Sequence, residues 1–196
     1  MTNINTCFLK TPMQASAFRF AKECHRGQVR KGTSVPYISH PVEVAKIIYL
    51  YHFPEEYIIA ALLHDTVEDT EATLEDLRVG FGEEVANIVK HVSEDKLPEL
   101  SWSERKERYI DTLLNAPEGS VVVSAADKLH NIIDTLKDWS ELGDSVFEKF
   151  NSGKEKQRWF YRSLTEVYLE RGNSSGNGSL IRISKRINKI LEKMDM

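Results

Sequence analysis

The sequence predicts an all-α fold. Few segments alternate apolar and polar residues at the period of two that strands show, while many place apolar residues three or four positions apart. Thr11-Pro12-Met13-Gln14 fits a helical capping box with proline at the first helical position, and Gly27 is the expected stop of that first helix. Val121-Val122-Val123 could form a strand, but its continuation Ser124-Ala125-Ala126 favours a helix.

The remaining elements follow from the same periodicity. Residues 30 to 39 are predicted to form a loop, and a second helix is expected to start at Pro41, with His40 at or just outside its cap, and to end before Phe53-Pro54. A third helix is predicted over residues 56 to 69. Further helices are expected from Thr73 to Phe81, from Glu83 past Val92, from Arg105 to Leu114, from about Val121 to Trp139 and from Lys154 to Leu169.

The C-terminal region has a different composition. Residues 1 to 171 are predicted to form one domain, residues 172 to 179 a flexible linker rich in glycine, serine and asparagine, and residues 180 to 196 a tail helix. The tail helix has an apolar stripe and a basic side, a pattern that can bind a membrane or a partner groove. Its apolar side lacks tryptophan and phenylalanine, which favours docking on the domain or pairing with its copy in a homodimer.

Composition narrows the class of protein. The chain has 196 residues, of which 41% are hydrophobic and 29% charged, with a net charge of −4. These values are ordinary for a soluble globular protein, and the acidic balance argues against nucleic-acid binding. No apolar run reaches the length of a membrane span, and the N-terminus does not resemble a signal peptide. We therefore expect a cytoplasmic protein with no stable membrane association, in which Cys7 and Cys24 are reduced.

A basic segment stands out against the acidic average. Residues 19 to 31 contain five basic residues and one acid, and the last two of the basic residues, Arg30 and Lys31, precede His40 closely. Such a segment indicates a small polyanion, such as a nucleotide, as the ligand. The alternative is a solvated helix face, which is how most charge clusters behave.

The segment from His64 to Asp69 carries the strongest chemical signal. It places one histidine and three carboxylates, Asp65, Glu68 and Asp69, directly after the apolar run 58–63. Ionised carboxylates beside a buried helix are costly unless a metal, another cation or dense hydrogen bonding compensates them. The alternative is a polar helix end in which the His-Asp pair acts as a cap.

Two distant residues extend this signal. His40 lies before a predicted helix, and Asp127 follows the apolar segment Val121-Val122-Val123. Together with His64 and Asp65 they form a mixed nitrogen and oxygen set, which suits Mn, Fe, Zn or Co rather than calcium or a thiolate zinc site.

The order His, His-Asp, Asp resembles the signature of the HD-domain metal-dependent phosphohydrolases. The flanking residues resemble more narrowly the hydrolase domain of the Rel/Spo alarmone enzymes, including their hydrolase-only small alarmone hydrolases. The resemblance covers roughly residues 12 to 165. Four blocks carry it: His25-Arg26-Gly27-Gln28-Val29-Arg30-Lys31, Pro36-Tyr37-Ile38-Ser39-His40-Pro41, residues 60–70 and Ala126-Asp127-Lys128-Leu129-His130-Asn131.

The resemblance implies an HD-domain helical bundle and a manganese-dependent enzyme that removes pyrophosphate from the 3′ position of ppGpp or pppGpp. It assigns each candidate residue a role. The residues implied to bind the metal are His40, His64, Asp65 and Asp127, and those implied to act in catalysis are Glu68 and Asp69. The residues implied to contact the nucleotide are Arg30, Lys31, Lys96 and Asn131.

Three alternatives remain at this point. The residues after Asn131, Ile132-Ile133-Asp134, depart from the family pattern near the expected nucleotide pocket, so an adenine-based alarmone is one alternative substrate. A simpler nucleotide that bears a pyrophosphate is another. The third is a regulatory module that binds alarmone without hydrolysing it, although such a module has no need of Glu68 and Asp69.

Overall fold

The computed structural model describes residues 4–94, 97–150 and 152–196, and it confirms the all-α prediction. Within these ranges the regular secondary structure is helical, and one isolated bridge joins Val29 to Pro36. No helix in the same ranges is both long and apolar enough to cross a membrane. The chain forms two compact units, which divide at residue 95.

The first unit is organised around its third helix. Its helices are α1 (Pro12–Cys24), α2 (Ser39–Leu50), α3 (Glu55–Leu63), α4 (Thr66–Asp69), α5 (Leu74–Phe81) and α6 (Glu83–Val92). Helix α3 packs against α1, α2 and α6, and its residues 58–63 are all buried. Because helices contact α3 on several sides, this run is continuously apolar rather than amphipathic. The predicted capping box at Thr11 and Gln14 is present at the start of α1.

Helix α2 begins two residues earlier than predicted. It starts at Ser39, so His40 lies within the first turn and not at or outside the cap. Proline is tolerated at Pro41 because the N–H groups of a first helical turn have no partner within the helix. The earlier start fixes the backbone of His40 inside a helix that is buried along one side.

The predicted helix over residues 56–69 is wrong as one continuous element. Helix α3 ends at Leu63, and α4 begins at Thr66. Two side chains satisfy the last carbonyl groups of α3: His64 Nδ1 lies 2.8 Å from the oxygen of Ala61, and Thr66 Oγ1 donates to the oxygen of Leu63 over 2.7 Å. Such local side-chain bonds compete with the helical ladder and end it here.

The second unit also consists of helices. It contains α7 (Trp102–Asn115), α8 (Glu118–Leu142), a 3₁₀ helix (Gly143–Lys149), α9 (Gly153–Ser175) and α10 (Gly178–Lys193). Helix α7 starts before the predicted Arg105, because Ser101 and Glu104 form a capping box. The predicted tail helix is α10, and its apolar stripe is buried where it packs on α8 and α9. Docking within this unit therefore accounts for that stripe.

The segment predicted as a linker is largely helical. Helix α9 continues to Ser175, the left-handed Gly176 ends it, and the side chain of Asn177 caps α10. Gly172 lies where α9 meets α10, and a Cβ atom there would lie 2.8 Å from Cγ1 of Ile181. The glycine that suggested flexibility in the sequence instead allows close packing of two helices.

Replacement of Gly172 by alanine should destabilise the protein. A buried clash costs about 1–3 kcal/mol, which exceeds the roughly 0.8–1 kcal/mol that alanine gains over glycine in a helix. Thermal and denaturant unfolding would measure the loss. Gly178→Ala is the matched control, because a Cβ there would meet only an atom of Arg182 at 3.8 Å. Equal stability of the two variants would contradict this description of the α9–α10 contact.

Candidate metal centre

Three of the predicted metal ligands lie together in the first unit. His40 in α2, His64 at the end of α3 and Asp65 before α4 each offer a ligand atom, and these atoms all lie within 4.8 Å of one another. Asp65 Oδ1 is 3.2 Å from His64 Nε2, and Asp65 Oδ2 is 3.6 Å from His40 Nε2. The rings of the two histidines meet edge to face, with centres 5.2 Å apart. The end of α3 and the first turn of α2 thus converge on one carboxylate.

Burial prepares both histidines to act as ligands, and a hydrogen bond fixes the tautomer of His64. Their side chains are only 2% and 4% exposed, so they are shielded from bulk water. Because the Ala61 oxygen is an acceptor, the contact of His64 Nδ1 with it places the proton on Nδ1. The Nε2 atom then carries a lone pair, which is the form of imidazole that binds a metal.

The alternative role of the His-Asp pair as a helix cap does not fit Asp65. Asp65 occupies the N-cap position of α4, but its side chain makes no capping hydrogen bond there. The carboxylate instead contacts both histidines and accepts a hydrogen bond from the hydroxyl group of Tyr37 at 2.6 Å. Two imidazoles and one carboxylate suit a divalent transition metal and fit the metal-dependent chemistry that the sequence predicted.

Asp127, the fourth predicted ligand, lies in the second unit on α8 and is 7% exposed. One of its oxygens accepts a hydrogen bond from the side-chain amide of Asn131 at 2.6 Å, and the other pairs with the ammonium group of Lys128. Burial opposes the charge of Lys128, but the ion pair with Asp127 keeps the pKa of Lys128 well above its usual value. These two neighbours fix the orientation of the Asp127 carboxylate.

The predicted catalytic pair lies on the short helix α4. Glu68 Oε2 accepts the backbone N–H of Glu94 over 2.9 Å, and helix α5 has its own capping box at Thr73 and Asp76. The alternative role of Glu68 and Asp69 as a cap for the next helix is therefore filled by other residues. Burial raises the pKa of Glu68 above its usual value, and the charges of the neighbouring acids add to this effect.

Comparison with known proteins identifies the family. A model of the HD domain matches residues 17–150. The chain belongs to the HD-domain family. Within this family it is 41% identical over 130 residues to the guanosine-3′,5′-bis(diphosphate) 3′-pyrophosphohydrolase MESH1 of Mus musculus, a match that covers 62% of this chain and 71% of the mouse protein. The MESH1 of Danio rerio is also 41% identical, over 176 residues, which cover 83% of this chain and 96% of the fish protein.

A solved structure supports the same HD-domain assignment. It belongs to a metazoan ortholog of SpoT that is described as hydrolysing ppGpp and as having a role in starvation responses. The superposition gives a TM-score of 0.71 at 26% sequence identity and covers 94% of this chain and 96% of the other. The predicted HD-type helical fold and the resemblance to the Rel/Spo hydrolase domain are both confirmed.

Two residues that the sequence did not single out contact Asp65 or Asp69. Tyr37 donates a hydrogen bond to Asp65, and its hydroxyl oxygen lies 3.4 Å from Asp69 Oδ2. Gln28 donates from its amide to the backbone oxygen of Asp69 at 3.0 Å. Both residues belong to the sequence blocks that carried the family resemblance, but no spacing rule assigns a role to either.

The predicted nucleotide contacts are distributed along the chain. The guanidinium group of Arg30 lies 5.9 Å from the centre of the Tyr37 ring, within reach of a cation–π contact. Lys31 is exposed beside it. Asn131 donates to Asp127, as described above. Lys96 lies outside the described residues.

Removal of either His64 or Asp65 should abolish metal binding. Each alanine variant deletes one donor of a small set in which the remaining groups cannot replace it. Elemental analysis and titration calorimetry with Mn²⁺ would measure stoichiometry and affinity. His91→Ala is a suitable control, because the His91 ring makes a similar contact, 2.8 Å from the Asn87 oxygen, outside the cluster. Full occupancy in His64→Ala and Asp65→Ala would contradict the site.

Glu68→Gln should raise the thermal stability of the metal-free protein near neutral pH. Since the pKa of Glu68 is raised on folding, the folded state holds this proton more tightly than the unfolded chain. Below the unfolded-state pKa both states are protonated and the group has no effect. As the pH rises, ionisation destabilises the fold, while glutamine stays neutral and can still accept the N–H of Glu94.

Unfolding followed by circular dichroism in the presence of a chelator, from pH 4 to pH 8, would test this expectation. The gain in thermal stability of Glu68→Gln over the wild-type protein should grow with pH and disappear near pH 4. Glu84→Gln, which changes an exposed carboxylate on α6, is the control. Equal thermal stability of Glu68→Gln and the wild-type protein at neutral pH would contradict the assigned environment of Glu68.

Proposed function

We propose that this protein is a metal-dependent hydrolase that releases pyrophosphate from the 3′ position of guanosine 3′,5′-bis(diphosphate) and related alarmones. The observation that carries the proposal is the cluster of two buried histidines, His40 and His64, with Asp65, followed within one helical turn by Glu68 and Asp69. A structural cluster would need the ligands alone, whereas hydrolysis also needs groups that handle protons. The relatives named as 3′-pyrophosphohydrolases supply the substrate class.

We further propose manganese as the metal and Asp127 as its fourth ligand, as the resemblance to the Rel/Spo enzymes implies. A divalent metal in such a site supplies charge neutralisation for phosphate groups and lowers the pKa of water. The protein contributes a fixed donor set. His64 is held by the Ala61 oxygen, Asp65 by Tyr37, and Asp127 by Asn131 and Lys128.

Glu68 and Asp69 have different environments that suit different tasks. Glu68 is half-buried, which raises its pKa and makes its carboxylate a stronger base than that of an exposed glutamate for accepting a proton from the attacking water. Asp69 is exposed at the end of α4, where it can orient water or manage the proton of the leaving group. Hydrolysis then breaks the bond between the 3′ oxygen of the ribose and the pyrophosphate.

The substrate carries several negative charges, so an acidic protein must bind it through a few local cations. We propose that Arg30, Lys31 and Lys96 contact its phosphates or base, and that Asn131 contributes a further contact. Arg30 has the best structural support, because it lies over Tyr37, whose hydroxyl group binds Asp65. Arg30 and Tyr37 belong to the same loop between α1 and α2, and this loop contacts Asp65.

A nucleotide panel would decide the substrate. Purified protein with added manganese should hydrolyse ppGpp and pppGpp to the corresponding guanosine diphosphate or triphosphate and pyrophosphate, which chromatography separates. The adenine counterparts test the alternative suggested by Ile132-Ile133-Asp134. Turnover of simple nucleotides without the 3′ pyrophosphate would favour a general HD-type nucleotidase. Tight binding of ppGpp without turnover would favour the regulatory module.

The double variant Glu68→Gln with Asp69→Asn should keep the metal and lose turnover. Both replacements preserve side-chain shape but remove the groups proposed to move protons, and general acid–base catalysis contributes about 10²–10⁴-fold to a rate. The measurement is kcat for ppGpp beside metal content in the same preparation. A rate like that of the unmodified protein would show that these residues have no catalytic task.

Arg30→Ala and Lys31→Ala should each raise KM for ppGpp. A charge-assisted contact is worth roughly 1.5 to 3 kcal/mol, which corresponds to about tenfold or more in affinity. The wild-type activity should also fall as ionic strength rises, because salt screens these contacts. Lys22→Ala removes an exposed charge from the same basic segment and is the control. An unchanged KM in both test variants would contradict the assigned anion site.

A further inference from the structure

The loop between α1 and α2 contacts the corner between α3 and α4 through Tyr37. The hydroxyl group of Tyr37 donates to Asp65 Oδ2 at 2.6 Å and lies 3.4 Å from Asp69 Oδ2. One hydroxyl group therefore touches a proposed metal ligand and a proposed catalytic acid. The two carboxylates lie four positions apart in sequence, Asp65 at the N-cap of the short helix α4 and Asp69 at its last residue.

The hydrogen bond fixes the oxygen of Asp65 that faces His40, Oδ2, and so sets the orientation of the whole carboxylate. Tyr37 holds Oδ2, while Oδ1 lies 3.2 Å from His64 Nε2. A carboxylate that binds a metal is usually oriented by such an outer hydrogen bond, and removal of the outer partner typically costs 10–100-fold in metal affinity or activity. A tyrosine hydroxyl can donate this bond without adding a charge to the site.

The Tyr37 ring is itself fixed on several sides. It lies 4.7 Å from the ring of His25 and meets the ring of His40 edge to face at 6.0 Å, measured between ring centres. The guanidinium group of Arg30 lies over it at 5.9 Å. The amide oxygen of Gln28 accepts a hydrogen bond from His25 Nδ1 at 2.8 Å, and its amide nitrogen donates to the backbone oxygen of Asp69, so the loop is tied to the α4 corner at a second point.

We propose that Tyr37 is the positioning residue of this site: its hydroxyl group orients Asp65 for metal binding, and its ring supports the guanidinium group of Arg30, the proposed substrate contact. The inference rests on the proposed hydrolase function. It assigns different roles to the hydroxyl group and the ring of Tyr37, and the two roles can be measured separately. The hydroxyl group governs metal affinity and kcat, and the ring governs KM.

Two substitutions separate these tasks. Tyr37→Phe removes the hydroxyl group but keeps the ring, whereas Tyr37→Leu removes both. Tyr49→Phe is the matched control, because Tyr49 lies on α2 with His40, is 37% exposed and packs its ring against Phe8. Titration of each metal-free protein with Mn²⁺, followed by the electron paramagnetic resonance of unbound Mn²⁺, gives the affinity without reference to activity.

We expect Tyr37→Phe to bind Mn²⁺ about tenfold or more weakly, with a lower kcat at limiting Mn²⁺ that excess Mn²⁺ largely restores and with an almost unchanged KM for ppGpp. Tyr37→Leu should show the same loss of Mn²⁺ affinity and, in addition, a raised KM. Tyr49→Phe should match the wild-type protein in every measurement. Circular dichroism and thermal unfolding of the metal-free proteins would identify any variant that is misfolded, and Tyr37→Phe alone then decides the role of the hydroxyl group.

Equal Mn²⁺ affinity of Tyr37→Phe and wild type would overturn the inference. A raised KM for ppGpp in Tyr37→Phe with unchanged Mn²⁺ affinity would also overturn it, because the hydroxyl group would then be a substrate contact. Failure of the wild-type protein to hydrolyse ppGpp would instead refute the proposed function. In that case the Mn²⁺ titrations would still show whether Tyr37 positions Asp65.

Discussion

The break between α3 and α4 is the constraint on which the site depends. If the helix continued through His64 and Asp65, their side chains would follow the helical surface, and His64 would share a row with Glu68. The side chains of His64 and Thr66 instead bond the last carbonyl groups of α3. The chain turns there, the His64 ring is locked through Nδ1, and the Asp65 carboxylate meets two histidines.

The same corner concentrates three acidic side chains next to a buried helix. Asp65, Glu68 and Asp69 follow a helix whose last six residues are fully or almost fully buried. The raised pKa of Glu68 is a direct consequence, since burial and the neighbouring acids both disfavour its charged form. A divalent cation would relieve this repulsion, so the electrostatics of the metal-free corner agree with its proposed use.

Much of this organisation could be predicted from the sequence. Helical periodicity and capping signals found most of the helices, and the residue types of His40, His64 and Asp65 indicated a metal. Local patterns could not reveal the helix break, because His64, Asp65 and Thr66 are all compatible with a continuing helix, which ends where the side chains of His64 and Thr66 bond its last carbonyl groups. Tyr37 was missed for a related reason: its bond to Asp65 spans 28 positions of the chain, and no periodicity records such a contact.

Composition was misleading at residues 172–179. Glycine, serine and asparagine are typical of linkers, but the same residues also end one helix, cap the next and allow two helices to approach closely. Gly172 has the last of these roles, against Ile181. The sequence could not distinguish a flexible linker from a helix junction, because a glycine is compatible with both exposure to solvent and close contact with a neighbouring helix.

The most direct test of the central claim is the anomalous diffraction of crystals grown with Mn²⁺. The proposed assignment predicts a single strong manganese peak within coordination distance of the side chains of His40, His64 and Asp65, with the Asp65 carboxylate still bonded to Tyr37. A peak elsewhere, or no peak at saturating Mn²⁺, would contradict the assignment of these three residues as a metal centre.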